Sequence, residues 1–373
     1  MILLVACTQV GAGRRHVEAP QVREARAKLA IPQSPTRTRT DHGISTLTNA
    51  EDKASIPPGK DAERGETSHE EGELLFAVVS DLNGRYGDTT YADGVHESVR
   101  WLVEDIQPDL VVSTGDMVAG QRAGLDYEAM WAGFHAAVTS PFARAGIPFA
   151  VTPGNHDASA GAGYYQERIH FAQQWRAHRP DVEFVDDRFY PMHYAFKAKG
   201  VLFVSLDATM VGPIDAPQRR WLREVLQANA DARAKVVYGH LPLYPVSQGR
   251  ENEILRDEKL EQMLNEFDVD MMISGHHHAY YPGRRGELRL VNMACLGSGA
   301  RKLVGAENMS AKGLLLVRVS PDDEVTLDAF ESAAHLNQAH PKIERATLPE
   351  SLNQGAWRIW RDDVDASRIE SHP

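Results

Sequence analysis

The apolar run Phe149-Ala150-Val151 is followed directly by Thr152-Pro153-Gly154-Asn155-His156-Asp157. Such an apolar run predicts a buried strand, and the Pro-Gly pair predicts a sharp turn at its end. An amide, an imidazole and a carboxylate then stand side by side, although polar groups of this kind are seldom core residues. The stretch therefore predicts a strand whose end presents polar side chains at the edge of a sheet.

Four other apolar runs end in polar residues in the same way. The runs and the residues at their ends are 74–80 with Asp81-Leu82-Asn83, 110–113 with Gly115-Asp116, 236–238 with Gly239-His240, and 271–274 with Gly275-His276-His277-His278. In an open α/β sheet, ligands bind in the crevice beyond the carboxyl ends of the strands. The five strand ends therefore predict one metal site that collects Asp, Asn and His side chains from across the domain.

Length and composition are those of an ordinary globular protein. The chain has 373 residues, of which 42% are hydrophobic and 25% are charged, so it can bury a large core. Its formal net charge is −12, whereas binding to a phosphate backbone depends on Lys and Arg. A nucleic-acid partner is therefore not expected. A small phosphoester substrate remains compatible with this charge, because bound divalent cations reverse its local sign.

The N-terminal 73 residues differ in composition from the rest of the chain. Leu4-Val5-Ala6-Cys7 resembles a bacterial lipobox, although it lacks the positive region and the longer apolar run of a secretory signal. Residues 8–72 contain no Phe, Trp or Tyr, which predicts a disordered tether. We therefore expect an exported, periplasmic or membrane-anchored protein that is lipidated at Cys7. A cytoplasmic protein with an accidental apolar start is the alternative.

Strands and helices alternate from Leu74 onward. Strands are predicted over 74–80, 110–113, 149–152, 194–196, 201–206, 235–238, 270–274, 288–293, 313–319 and 324–329. Helices are predicted over 93–107, 127–138, 164–178 and 217–226, and along the apolar face of Leu260, Met263, Leu264 and Phe267. Asp215 is expected to cap the fourth of these helices.

This element order predicts two packed sheets with helices outside them, rather than a single doubly wound sheet. The predicted catalytic domain spans residues 74–332. Residues 1–73 precede it as the tether, and residues 333–373 are expected to follow it as a tail on the domain surface.

The mixture of ligand types indicates the chemistry of the site. Asp, Asn and His together suit borderline ions such as Mn, Fe, Co, Ni or Zn, whereas an all-oxygen set would favour Mg or Ca. One carboxylate can bridge two such ions, and a pair of metals can clamp the attacking and leaving oxygens of a phosphoryl displacement. The cluster therefore predicts a metal-dependent hydrolase of phosphoric esters, in which a metal-bridging hydroxide is the nucleophile at a dinuclear centre.

The order and rough spacing of the five motifs resemble those of the calcineurin-like metallophosphoesterases. The combination of Gly154-Asn155-His156-Asp157 with Gly275-His276-x-His278 is highly specific, and the resemblance covers about residues 74–330. It implies an α/β fold, a four-layer αββα sandwich with two mixed sheets flanked by helices. It also implies a phosphomonoesterase or phosphodiesterase with two divalent metal ions, for which Mn, Fe or Zn are expected.

The resemblance also implies a role for each motif residue. Asp116 would bridge both metals, Asp81, Asn83 and His278 would complete one site, and Asn155, His240 and His276 would complete the other. His156 would act near the scissile phosphate as leaving-group acid or transition-state stabiliser, with Asp157 orienting it. His277, the variable residue between two ligands, is not expected to bind metal.

Two positions depart from the family pattern. Asn83 stands where the family usually has His, so the site of Asp81 and His278 should bind its metal less tightly. Alternatively, Asn83 only caps the following turn at Gly84. Ala119 stands where purple acid phosphatases, one branch of the family, carry a tyrosine ligand, so iron–tyrosinate chemistry is not expected.

Each motif residue alone also has a purely structural interpretation. Asp81 or Asp116 would suit a helix N-cap, and Asn155 would suit a turn. Arg85 and Arg284 could reach a substrate phosphate, but solvent-facing positions are favoured for both. A catalytically inactive metal-binding module of the same fold is the alternative function. The retention of His156 together with the ligands favours the enzyme.

Overall fold

Two β-sheets packed face to face carry the five strand-end motifs in this computed structural model, which describes residues 72–333 and 338–365. The strands in chain order are β1 Leu74–Val79, β2 Leu110–Ser113, β3 Phe149–Val151, β4 Glu183–Phe189, β5 His193–Ala198, β6 Val201–Ser205, β7 Lys235–Tyr238, β8 Met271–Ser274, β9 Tyr281–Arg285, β10 Leu288–Asn292, β11 Gly313–Val319, β12 Val325–Glu331, β13 Ser351–Leu352 and β14 Ile359–Arg361. One sheet has the order β12-β11-β1-β2-β3, and the other has the order β13-β14-β9-β10-β8-β7-β6-β5-β4.

The helices lie between the strands along the chain. They are α1 Asp93–Trp101, α2 Tyr127–Phe134, α3 Ser140–Arg144, α4 Asn155–Ala158, α5 Tyr165–Ala177, α6 Ala216–Ala228 and α7 Glu258–Glu266. The π-helical turns Leu102–Ile106 and His135–Thr139 extend α1 and α2. The predicted cap of α6 is confirmed, because Asp215 accepts a hydrogen bond from the backbone N–H of Gln218 at 2.8 Å.

The strands that precede the motifs are parallel and buried. β1 pairs with β2 and β2 with β3, while β7 lies between its parallel neighbours β6 and β8. Strands that are covered on both faces must be apolar throughout, which explains their near-continuous hydrophobic runs. Because parallel strands end at the same edge of a sheet, the polar residues after them are brought together.

Alternate side chains of β7 show how the layers are arranged. Val236 belongs to the core cluster that contains Phe76 of β1, whereas Val237 packs in a second cluster with Leu222 of α6 and Leu264 of α7. One face of the strand therefore meets the other sheet, and the opposite face meets helices. The predicted fold class, α/β with two mixed sheets flanked by helices, is confirmed.

Hydrogen bonds between the sheets hold the end of β3 in place. The hydroxyl groups of Tyr194 and Ser205 donate to the carbonyl oxygen of Val151 at 2.8 and 3.1 Å. The hydroxyl of Thr152 donates to the carbonyl oxygen of Leu206 at 2.6 Å. The turn that begins at Pro153 therefore starts from a backbone that both sheets constrain.

Several strands have no counterpart in the sequence prediction. β4 is a largely exposed edge strand rich in charge, and β9 contains Pro282 and Gly283, which normally argue against a strand. The segment expected to be a surface tail also contributes strands, because Trp360 of β14 pairs with Arg284 of β9. Its buried residues Leu352 and Ile359 make the tail an edge of the second sheet.

The predicted tether and the lipid anchor at Cys7 lie outside the described residues. Within the described part of the chain, no helix is both long enough and apolar enough to cross a bilayer. Cys295 is buried, as expected for a small hydrophobe, and its thiol donates to the carbonyl oxygen of Ser298 at 3.1 Å.

Candidate metal centre

The residues after the strands adopt unusual backbone conformations. Asp81, Asp116, His276 and His278 all have positive φ angles, of 50°, 56°, 65° and 52°. A positive φ is uncommon for residues other than glycine, and such conformations cluster at functional sites. Two of these residues follow strands of one sheet and two follow a strand of the other, so they indicate a functional site where the strand ends of both sheets meet.

Two glycines allow the loops to approach each other closely. A Cβ atom on Gly154 would lie 2.1 Å from the backbone nitrogen of Asp116, and one on Gly115 would lie 2.7 Å from Cα of Gly154. The backbones of the loops after β2 and β3 are thus in direct contact, and only glycine fits at these two positions. The backbone N–H of His156 consequently donates to Oδ1 of Asp116 at 2.8 Å.

The ligands predicted for the first metal ion lie close together and are largely buried, at the ends of strands from both sheets. Asp116, His240 and His276 each offer a ligand atom, and these atoms all lie within 4.8 Å of one another. Nε2 of His240 lies 2.9 Å from Oδ1 of Asn155 and 3.3 Å from Oδ2 of Asp116. The structure thus brings together four side chains that are spread over positions 116 to 276 of the sequence.

The second group consists of Asp81 and His278. Oδ1 of Asp81 lies 3.0 Å from Nε2 of His278, yet this buried oxygen accepts no hydrogen bond of acceptable geometry. The other carboxylate oxygen accepts hydrogen bonds from the hydroxyl of Ser80 at 2.5 Å and from the backbone N–H of His276 at 3.1 Å. A buried carboxylate oxygen without a donor suits a cation as its partner.

Each of the three candidate histidine ligands has one ring nitrogen bound to a protein oxygen. Nδ1 of His240 donates to the carbonyl of Thr114 and Nδ1 of His278 to the carbonyl of Gly299, both at 2.8 Å. Nε2 of His276 lies 2.9 Å from Oε2 of Glu253. Histidines that bind metals are held in this way, because the bound nitrogen fixes the tautomer and frees the other nitrogen. The donor set therefore fits divalent metal ions.

Opposite charges compensate for burial in this cluster. Burial alone would raise the pKa of Asp116, but the neighbouring His240 and His156 hold that pKa well below its usual value. Burial would likewise lower the pKa of His240, but the carboxylate of Asp116 raises it to about 9. The carboxylate of Asp116 therefore remains anionic at neutral pH, the state in which it binds cations.

Asp157 does not play the part expected of it. Within the described residues, its carboxylate accepts hydrogen bonds from backbone N–H groups and from no side chain. The donors are Met117 at 2.8 Å, Val118 at 2.9 Å and Gly154 at 3.0 Å. The prediction that it orients the His156 ring is wrong, because the carboxylate joins the loops after β2 and β3 instead. Nδ1 of His156 lies 3.5 Å from the carbonyl oxygen of Gly120.

Asn83 is almost fully buried beside these loops. Its carboxamide oxygen accepts a hydrogen bond from the hydroxyl of Ser298. The turn at Gly84 is closed by Asp88, whose Oδ2 accepts from the backbone N–H of Arg85 at 2.7 Å. The alternative in which Asn83 caps that turn is therefore wrong, and its role as a ligand stays a prediction. His277, by contrast, is fully buried.

A cavity of about 510 Å³ opens over the candidate ligands. Asp116, His276 and His278 reach it from the metal side, and His156 lines it from α4. Arg85 is exposed, as expected, and also lines this cavity. Arg284 is only partly exposed and donates to the carbonyl oxygen of Val364 at 2.7 Å. Arg250 and Arg301 line the cavity too, although neither follows a predicted strand end.

Glu253 is the acidic residue that sequence reasoning missed. It lies in the connection between β7 and α7, where no periodic pattern or motif singles it out. The hydrogen bond from His276 and, to a smaller extent, the contact with Arg250 together lower the pKa of Glu253 to about 2. Glu253 is therefore an anion that holds the proton of His276 on Nε2 and leaves Nδ1 free.

We expect Glu253→Ala to weaken metal binding about 10- to 100-fold, the usual effect of removing such a partner from a ligating histidine. Calorimetric titration of Mn or Zn into the chelator-treated protein measures the change. Glu251→Ala is the matched control, because Glu251 is an exposed neighbour of the same charge. Equal affinities for the two variants would show that Glu253 does not position His276.

Comparison with protein families gives one match over most of the sandwich. Residues 74–280 match the family model of the calcineurin-like phosphoesterases. This range contains all nine residues that the sequence pointed to as ligands or catalytic groups. The match begins at β1 and therefore excludes the segment that precedes the fold.

Two curated proteins are similar to parts of the chain. One is purple acid phosphatase 15 of Arabidopsis thaliana, 29% identical over 144 residues that make up 37% of this chain and 26% of the relative. The other is a probable cyclic nucleotide phosphodiesterase of Psychrobacter sp. (strain PRwf-1), 25% identical over 194 residues, which are 46% of this chain and 52% of the relative. The chain therefore matches only about a quarter of the length of the first relative and about half of the second.

Among solved structures, the purple acid phosphatase from yellow lupin (Lupinus luteus) seeds is similar with a TM-score of 0.57. The similarity covers 74% of this chain and 54% of that chain at 14% identity, so it concerns the fold. Ala119, one of the two positions that depart from the family pattern, lines the cavity.

Proposed function

The chain belongs to the calcineurin-like phosphoesterase family, and we propose that it hydrolyses phosphoric esters at a centre of two divalent metal ions. The observation that carries this proposal is the convergence of buried ligand atoms from Asp116, His240 and His276 within 4.8 Å of one another. Three histidines with one nitrogen fixed and a buried carboxylate oxygen without a donor support it.

The ligands divide into two sets that share one carboxylate. Asp116, Asn155, His240 and His276 would hold one ion, and Asp81, Asp116 and His278, with Asn83 as a further candidate, would hold the other. When bound, such a pair of ions supplies positive charge that stabilises the attacking and leaving oxygens of an in-line displacement. The mixture of oxygen and nitrogen donors suits Mn, Fe or Zn.

His156 is the group placed to move a proton. It lines the cavity from the N-terminal turn of α4, and its backbone N–H is bound to the carboxylate of Asp116 at 2.8 Å. This bond holds the backbone from which the imidazole extends next to the shared metal ligand. We assign to the imidazole the delivery of a proton to the leaving oxygen, a step in which a histidine is effective at neutral pH.

The cavity also has features that suit an anionic ester with an organic leaving group. Arg85, Arg250 and Arg301 line it, and guanidinium groups match phosphate oxygens in geometry and charge. The ring of Tyr86 lies 5.5 Å from the ring of His156 and is half exposed. A leaving group can therefore pack against an aromatic face beside the proposed acid.

We expect the purified full-length protein to hydrolyse p-nitrophenyl phosphate or bis-p-nitrophenyl phosphate when Mn, Fe or Zn is added. Release of p-nitrophenol measures the rate, and a chelator should abolish it because the ligands alone supply no Lewis acid. If neither ester is hydrolysed with any of these ions although calorimetry shows that they bind, the protein is the inactive metal-binding module.

A further inference from the structure

Three arginines in the cavity wall come from three separate loops. Arg85 follows the motif after β1, Arg250 lies in the connection between β7 and α7, and Arg301 follows β10. Such a cluster is unusual in a chain with a formal net charge of −12. Like charges repel each other, so a cluster of this kind needs anionic partners.

The protein itself compensates only part of this charge. Arg250 is paired with Glu253, but no carboxylate in residues 72–333 and 338–365 forms an ion pair with Arg85 or Arg301. Nε of Arg301 is buried and has no hydrogen-bond partner in that part of the chain. Burial and the nearby charge of Arg250 both lower the pKa of Arg301, which reflects an unfavourable environment for its charge.

Arg301 contacts a candidate metal ligand directly, and Arg250 is connected to another through Glu253. The backbone N–H of Arg301 donates to the carbonyl oxygen of His278 at 3.1 Å. Arg250 binds the same carboxylate that holds His276. Both arginines also line the cavity that Asp116, His276 and His278 reach, so they can contact a substrate whose scissile phosphate is held at that centre.

We propose that these arginines form a second anion subsite, which selects phosphoesters that carry a further phosphate group. The three guanidinium groups carry three positive charges, of which Glu253 compensates one. The two that remain match the roughly two negative charges of a phosphate monoester group. A cavity of about 510 Å³ has room for more than one phosphate. This inference rests on the proposed function, because it names the substrate class of the same site.

The test compares phosphoesters that differ by one phosphate group, namely AMP with adenosine 3′,5′-bisphosphate and fructose 6-phosphate with fructose 1,6-bisphosphate. In at least one pair, kcat/KM of the metal-loaded wild type should be about 10-fold or more higher for the bisphosphorylated member. Arg301→Gln should reduce this preference about 10-fold, and Arg301→Lys should retain part of it because the charge is kept. Arg220→Gln is the matched control, since Arg220 is an exposed residue of α6.

A binding measurement gives a readout that does not depend on turnover. Calorimetric titration of fructose 1,6-bisphosphate into the chelator-treated protein should show binding that Arg301→Gln weakens about 10-fold and Arg220→Gln leaves unchanged. Thermal unfolding of each variant verifies that it is folded.

The outcomes separate the two proposals. Hydrolysis of p-nitrophenyl phosphate without any preference for the second phosphate, or a preference that Arg301→Gln and Arg220→Gln affect equally, overturns the subsite and leaves the proposed function standing. Binding of the bisphosphate without hydrolysis of any ester supports the anion subsite and overturns the proposed function. A loss of preference confined to Arg301→Gln supports both.

Discussion

Replacing Asp116 with asparagine should remove at least one of the two proposed metal ions and, with it, hydrolysis. Oδ1 of Asp116 accepts the backbone N–H of His156 at 2.8 Å, and Oδ2 lies 3.3 Å from Nε2 of His240. Both oxygens are therefore engaged, whereas asparagine offers only one oxygen and no negative charge. Because Asp116 is the ligand that both proposed ions share, neither ion keeps its full set of ligands.

The expected loss of activity is large. Metal ions stabilise a transition state by several kcal/mol, and each 1.36 kcal/mol corresponds to tenfold in rate, so we expect a decrease of about 10³-fold or more. Metal analysis after dialysis should show at most one ion per chain, against two in the wild type. Asp93→Asn is the control, because Asp93 is an exposed carboxylate on α1.

The result that would contradict this assignment is equally specific. If Asp116→Asn retained two ions per chain and lost only activity, Asp116 would act on the substrate rather than on the metals. Thermal unfolding must accompany the measurement, since Asp116 also joins the loops after β2 and β3 through the N–H of His156.

Replacing His156 with alanine should have the opposite pattern, with both metals retained and the rate reduced about 10²- to 10⁴-fold, the usual contribution of a positioned acid–base group. The imidazole of His156 is absent from the buried cluster of Asp116, His240 and His276. Its backbone N–H, which alanine keeps, is the group that contacts Asp116. The ligands should therefore stay in place when the ring is removed.

The leaving group gives a sharper test of the role of His156. If the imidazole protonates the leaving oxygen, esters of alcohols with high pKa should lose more activity in His156→Ala than p-nitrophenyl esters, whose leaving group needs little help. An equal loss for all esters would indicate charge stabilisation instead. Loss of metal from His156→Ala would show that the division into ligands and acid is wrong.

The sequence alone was sufficient to predict the sandwich and the residues at its edge. Parallel strands buried on both faces must be apolar, and the polar residues that interrupt them at their ends stand out against that background. Asp116, His240 and His276 were found in this way, and the structure places their ligand atoms together. The signal is local, because a strand and the turn that ends it are adjacent in the chain.

The tertiary structure alone decided which groups support those ligands. Glu253 holds His276 from a connection without periodicity, and Asp157 binds the backbone of two loops rather than the ring of its neighbour His156. Strands such as β9 form despite unfavourable residues, because pairing on both sides provides partners for their backbone groups.

The positions of Arg250 and Arg301 were likewise decided by the tertiary structure, because their loops meet at one cavity only when the fold is assembled. The physical reason for the difference is the range of the interaction. Burial and turn formation act on neighbouring residues and leave a pattern in the sequence, whereas a contact between distant loops leaves none. The sequence thus determined where chemistry occurs in this protein, and the tertiary structure determined which charges surround it.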